Sequence, residues 1–204
     1  MYLLGRRVQN LEDAAKSIDP NVVKPVQCDV TDPSSIEAAV KQIEKDTSHI
    51  DVLINNAGVL GPDHKGINNA QSIEELQQKM KSDWSSWDTS FQTNTSAVVG
   101  VSAAFLHLLD EGNKKRGWAT GRQEVHQRVQ GSEHDVSDQR TSQIITVASI
   151  SSFNRHVTAG LAYTATKAGA AMLGKALATL LAPFGIRSNV IAPGSEYTCT
   201  SRFN

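Results

Sequence analysis

Short apolar, β-branched runs at 3–4, 22–28, 52–55, 144–148 and 188–192 alternate along the chain with segments whose apolar residues recur at three- and four-residue steps. That alternation predicts βα repeats and a largely parallel sheet, hence an α/β fold. One helix opens at Asp32-Pro33, an N-cap followed by a first-turn proline, and Ile36, Ala39, Val40 and Ile43 form its buried stripe. Another begins at Ser72, with Glu75 placed to complete a capping box. The longest is expected over 83–109 as one helix, with Trp87, Phe91, Val98, Val101, Phe105 and Leu109 on one face. Asn94 falls on that face. A buried amide is costly unless hydrogen-bonded, so Asn94 either satisfies backbone groups or serves a site.

From 112 to 142 the chain turns polar, with glycines at 112, 117, 121 and 131 and hardly an apolar residue in phase. The pattern predicts a loop well beyond the roughly 12 to 15 residues usual in compact domains. It reads as a surface excursion, a disordered insertion or a gene-model artefact, a functional lid being the weakest reading. No internal repeat or linker divides the sequence, so residues 1–204 are expected to form a single domain.

Composition narrows the function classes. With 39% hydrophobic residues and a formal net charge of −1 in 204 residues, the chain gives no electrostatic case for nucleic acid or an anionic membrane surface. The short basic run Lys114-Lys115-Arg116 reads as a solvated loop. Cys28 and Cys199 are far apart, with no metal or disulfide spacing, and none of the six histidines pairs at i+3 or i+4. No metal site is expected. No apolar run approaches the ~20 residues needed to cross a bilayer, and the first residues lack a signal peptide's order, so a cytoplasmic location is expected.

Candidate chemistry lies at the predicted strand ends, where parallel sheets bind ligands. Tyr163 and Lys167 are four residues apart in an alanine-rich, helix-prone segment, which puts both side chains on one helix face. An ammonium near a phenol lowers its pKa from about 10, making the two a candidate acid/base pair. Small, amide-rich Asn55-Asn56-Ala57-Gly58 follows the strand at 52–55, and its backbone could approach a flat ligand, although a plain turn would use the same residues. Ser149 follows the strand at 144–148, as a catalytic hydroxyl or a simple turn residue. Pro193-Gly194 follows the last strand, with Thr198 beyond.

Taken in order, Asn55 to Gly58, Asn94, Ser149, and Tyr163 with Lys167 resemble the short-chain dehydrogenase/reductase family. The resemblance runs from the first residues to about Thr198, interrupted by 112–142. It implies a doubly wound, Rossmann-like parallel sheet in three layers. It also implies hydride transfer between a nicotinamide cofactor and a small-molecule carbonyl or alcohol substrate. Tyr163 would be the proton donor in reduction, Lys167 would lower its pKa and hold the nicotinamide ribose, and Ser149 would hydrogen-bond the substrate oxygen. Asn94 would fix a water linking Lys167 to solvent. Asn56, Ala57, Gly58, Pro193, Gly194 and Thr198 match cofactor positions, and Asp29 and Val30 match those that hold the adenine. Gly5-Arg6-Arg7, with no acid, favours NADP through Arg6, with NAD the lesser choice. Family members commonly form homo-oligomers.

The sequence departs from the family in opening directly at what corresponds to the second strand, with no Gly-x-x-x-Gly-x-Gly turn to cradle a pyrophosphate. It also stops short of the final helix and strand, and Glu196 stands where an apolar residue is usual. The lost first strand is central, so its neighbours should face an empty position or collapse together. Two readings are open: a reductase whose ends lie outside this sequence, or a truncated, non-catalytic remnant or interaction protein. As written, the chain is expected to bind NADPH poorly.

Overall fold

A computed structural model of the chain describes residues 1–64, 66–81, 83–125, 127–129, 138–157 and 159–194. Thr198 and Glu196 lie outside the described residues. The chain divides into two compact units. One is drawn from Met1–Leu53, Val99–Ile144 and Leu181–Arg187, the other from Ile54–Val98, Ile145–Leu180 and the stretch from Ser188.

In the first unit, β1 (Tyr2–Gly5) leads through α1 (Val8–Ile18) to β2 (Lys24–Gln27), which lies parallel to it with Tyr2 opposite Lys24 and Gly5 opposite Gln27. The strand expected over 22–28 is shorter at both ends. Pro25 is tolerated because, among the described residues, β2 pairs with β1 alone and can leave its missing N–H at an edge. Next comes α2 (Pro33–Glu44), capped as its sequence predicts: Asp32 accepts from the Ser34 backbone N–H at 2.9 Å. Its stripe Ile36, Ala39, Val40 and Ile43 is buried against Val26, Cys28, Val101, Phe105 and Leu108. Each large apolar side chain buried this way contributes roughly 1.5–3 kcal/mol.

The remaining described strands, β3 (Val52–Asn55), β4 (Gln143–Val147) and β5 (Arg187–Ile191), form a separate sheet in the order β3-β4-β5. Among the described residues no hydrogen bonding joins β1 to β3, so those two strands have not collapsed into one ladder. α3 (Ile73–Lys81) starts as its capping box predicts, with Ser72 accepting from the Glu75 N–H. The Glu75 carboxylate reaches back one residue further than the ideal box, to the Gln71 N–H.

The single helix expected over 83–109 is not continuous. α4 (Ser86–Phe91) passes into a π-helical turn, Gln92–Ser96, before α5 (Ala97–Lys115) begins. A π turn inserts an extra residue and so rotates the helix before it relative to the helix after it. Hence Val98, Val101, Phe105 and Leu109 are buried as expected while Phe91, before the turn, is exposed.

The polar loop expected from 112 begins later, since α5 runs to Lys115 and buries Asn113. The Asn113 amide explains why a polar residue belongs there: it donates to the Gly185 carbonyl and accepts from the Ser142 N–H. Beyond it the described residues are ordered around Trp118, which bridges to Arg128 and carries its guanidinium 4.2 Å from the ring centroid. Arg128 also donates to the Arg116 and Asp138 carbonyls.

α6 (Leu161–Leu181) lies close to β4 and β5 at Gly174. A β-carbon at Gly174 would stand 2.5 Å from Val190 Cγ2 and 3.4 Å from Thr146 Cβ, and Ser188 donates to the Gly174 carbonyl. Among the described residues, no helix is long and apolar enough to cross a membrane.

Candidate active site

The second unit gathers most of the predicted site residues. α6 carries Tyr163 half-buried and Lys167 buried on the turn after it, with the Lys167 Nζ 5.9 Å from the centroid of the Tyr163 ring. The ammonium donates to the Val147 carbonyl at the end of β4, at 2.7 Å. Burial pushes the Lys167 ammonium below the usual lysine range.

Gly58 lies where that ammonium meets Asn94. A β-carbon at position 58 would be 3.3 Å from both Lys167 Nζ and Asn94 Oδ1, so a larger residue there would press on the pair. Asn56, Ala57 and Gly58 are exposed.

Asn94 is fully buried in the π turn, and its amide groups are taken up by protein. Its Nδ2 donates to the Val59 carbonyl at 2.8 Å and to Thr166 Oγ1 at 2.9 Å, while its Oδ1 accepts from the Val59 N–H at 2.8 Å. Of the two roles its buried position allowed, the satisfaction of backbone groups is therefore in view: one side chain fastens the Asn-Asn-Ala-Gly loop to the helix of Tyr163 and Lys167.

Ser149 ends the approach from β4 in extended backbone and caps a 3₁₀ turn, Ile150–Ser152, by accepting from the Ser151 N–H at 3.1 Å. That bond uses the oxygen as acceptor and leaves the O–H free to donate elsewhere. Pro193 is tied to the same turn, its carbonyl accepting from the Ile150 N–H. A side chain at Gly194 would meet nothing within 4 Å.

Arg6, Asp29 and Val30 belong to the first unit. Arg6 is exposed just after β1. The Thr31 hydroxyl and N–H, donating at 2.7 and 2.9 Å, hold the Asp29 carboxyl below its usual range, and the charge of Arg6 adds to this. Val30 is half-buried against the core of α2 and β2.

Sequence reasoning passed over His64 and Thr166. His64 is buried, and its Nδ1 accepts from the N–H of Leu161, the first residue of α6. No local spacing could signal a contact spanning 97 residues. Thr166 is wholly buried between Tyr163 and Lys167, and its hydroxyl donates to the Tyr163 carbonyl. Among the described residues, no group of three or more His, Cys, Asp or Glu side chains could hold a metal ion.

The family profile described as short chain dehydrogenase matches residues 1–118 and 127–202. The short-chain dehydrogenase/reductase VdtF of Byssochlamys spectabilis is 36% identical over 199 residues, covering 95% of this chain and 64% of the relative. A 3-oxoacyl-[acyl-carrier-protein] reductase, FabG of Salmonella typhimurium, is 29% identical over 195 residues, covering 94% and 62%. The chain thus spans somewhat less than two thirds of the length of these relatives. Among solved structures, the Pseudomonas aeruginosa RhlG/NADP active-site complex superposes with a TM-score of 0.71 at 18% identity, covering 98% of this chain and 63% of that one. A likeness at that identity is one of fold.

Proposed function

Because the chain belongs to the short chain dehydrogenase family, we propose that it works as an oxidoreductase that interconverts a small-molecule carbonyl and alcohol, with NADP(H) as hydride carrier. The observation that carries this reading is the Lys167 ammonium, buried one helical turn from Tyr163 and held between the end of β4 and Gly58. From that place Lys167 would hold the nicotinamide ribose beside Tyr163, whose phenol would exchange a proton with a substrate oxygen. The Ser149 O–H, free to donate, would bind that same oxygen and stabilise charge developing on it. Open backbone at Asn56 to Gly58 and at Gly194 fits the flat nicotinamide end of a dinucleotide. Pro193 would flank it, and the bound cofactor would supply a hydride at nicotinamide C4.

Within the first unit, the family resemblance would have Arg6 pair with a 2′-phosphate and Asp29 and Val30 hold the adenine, which is why NADP is preferred to NAD. The NADP complex among similar folds supports that choice. The two units interleave along the sequence, which supports reading 1–204 as a single domain. Met172 and Leu180, exposed on α6, suit pairing with a second copy in a homo-oligomer. A cytoplasmic location accords with this activity.

The test is carbonyl reduction by the protein at its full length with NADPH and with NADH, alongside Tyr163→Phe. Turnover should favour NADPH, and Tyr163→Phe should lower kcat by at least about 100-fold while the NADPH Kd stays within about 2-fold. Undiminished turnover in Tyr163→Phe would remove the assigned role.

A further inference from the structure

The π turn directs two consecutive residues to one position of α6. Asn94 reaches the side chain of Thr166, and Thr95 Oγ1 donates to the Thr166 backbone carbonyl at 3.0 Å. Thr166 in turn donates its hydroxyl to the Tyr163 carbonyl at 3.1 Å and directly precedes Lys167. A second observation marks this as a built contact. α6 carries glycine at 169, the poorest helix residue after proline, and a β-carbon there would stand 2.9 Å from Thr95 Cγ2. The glycine is what lets the threonine reach the helix.

Neither Thr95 nor Gly169 belongs to the motif that suggested the chemistry. We propose that Thr95 is a positioning residue for the reaction: its hydroxyl, clasping the Thr166 carbonyl through the gap left by Gly169, sets where α6 presents Tyr163 and Lys167. The clasp acts between the two functional groups, because Thr166 lies in the turn that separates them. Lys167 is held independently at Val147, and its ammonium crowds Gly58. A shift of α6 therefore moves the phenol relative to the Val147 carbonyl, the strand-end point to which the ammonium is tied. Misplacement on the order of 1 Å in such a site costs about 100-fold in rate. This inference rests on the oxidoreductase reading above.

The experiment compares wild type, Thr95→Val, which keeps shape but loses the hydroxyl, and Thr95→Ser, which keeps the donor. Two quantities are read: kcat against KM for NADPH-dependent carbonyl reduction, and the NMR ring resonance of Tyr163 in tyrosine-labelled protein, assigned by its loss in Tyr163→Phe. Thr95→Val should lower kcat by about 10-fold or more with KM for NADPH within about 2-fold. It should also shift the Tyr163 ring resonance, as the phenol leaves its place on the helix face it shares with Lys167. Thr95→Ser should restore both. Should Thr95→Val not fold, Gly169→Ala, which displaces Thr95 from the opposite side, should give the same shift. Unchanged kcat and resonance in the folded variant overturn the proposal, as does loss of both in Thr95→Ser equal to that in Thr95→Val. A resonance shift in a protein that reduces no carbonyl would leave the clasp standing and sink the oxidoreductase reading. Turnover without a shift would sink the clasp alone.

Discussion

Lys167, the ammonium proposed to serve the reaction, also carries a stability cost. Its ammonium is withdrawn from water and receives one carbonyl in return, so its pKa falls below the unfolded value near 10.5. Between the folded and unfolded pKa values the unfolded chain binds more protons, so stability rises with pH through that window. The contribution is fully present above the unfolded pKa and is lost as pH falls through the folded one. Wild type should therefore gain on Lys167→Met in denaturant midpoints as pH is raised from 8 towards 10.5. Parallel pH dependences would mean that the ammonium is not desolvated. At this scale the sequence was legible where contacts are local: the Asp32 cap and the meeting of Lys167 with the Tyr163 ring across one helical turn follow from spacing. His64 could not, because its partner Leu161 is remote in sequence and an isolated histidine carries no local mark.

Among the elements, α6 and the π turn show what periodicity reads and what it misses. The stripe of α2 was readable because an unbroken 3.6-residue period keeps Ile36, Ala39, Val40 and Ile43 on one side. The same rule failed across 83–109, since an inserted π turn leaves no compositional trace and is fixed by the bonds of Asn94 and Thr95 to distant backbone. Close approach leaves a different trace, glycine inside a helix. Gly174→Ala would gain about 1 kcal/mol in helix propensity, yet its β-carbon would stand 2.5 Å from the stiff, β-branched Val190. Overpacking of about 1–3 kcal/mol should win. Thermal melts should show Gly174→Ala destabilised and Gly174→Ala/Val190→Ala partly restored. A more stable single variant would show that α6 can lift from β5 at little cost.

For the whole molecule, the βα alternation was enough to read an α/β chain and the five described strands. What it could not give was the arrangement of 116–142, where Trp118, Arg128 and Asp138 meet through contacts that no periodic pattern encodes. The sheet order carries a last consequence. Among the described residues β3 is hydrogen-bonded along one side only, to β4, and its Val52 and Ile54 are exposed. A strand with a free ladder edge and bare β-branched side chains is a template for another polypeptide. During expression, folding of this chain competes with intermolecular strand capture, so the yield of soluble protein should fall with concentration. Charged residues at 52 and 54 should relieve that fall, as light scattering on refolding would reveal; scattering unaffected by the substitutions would direct attention to another surface.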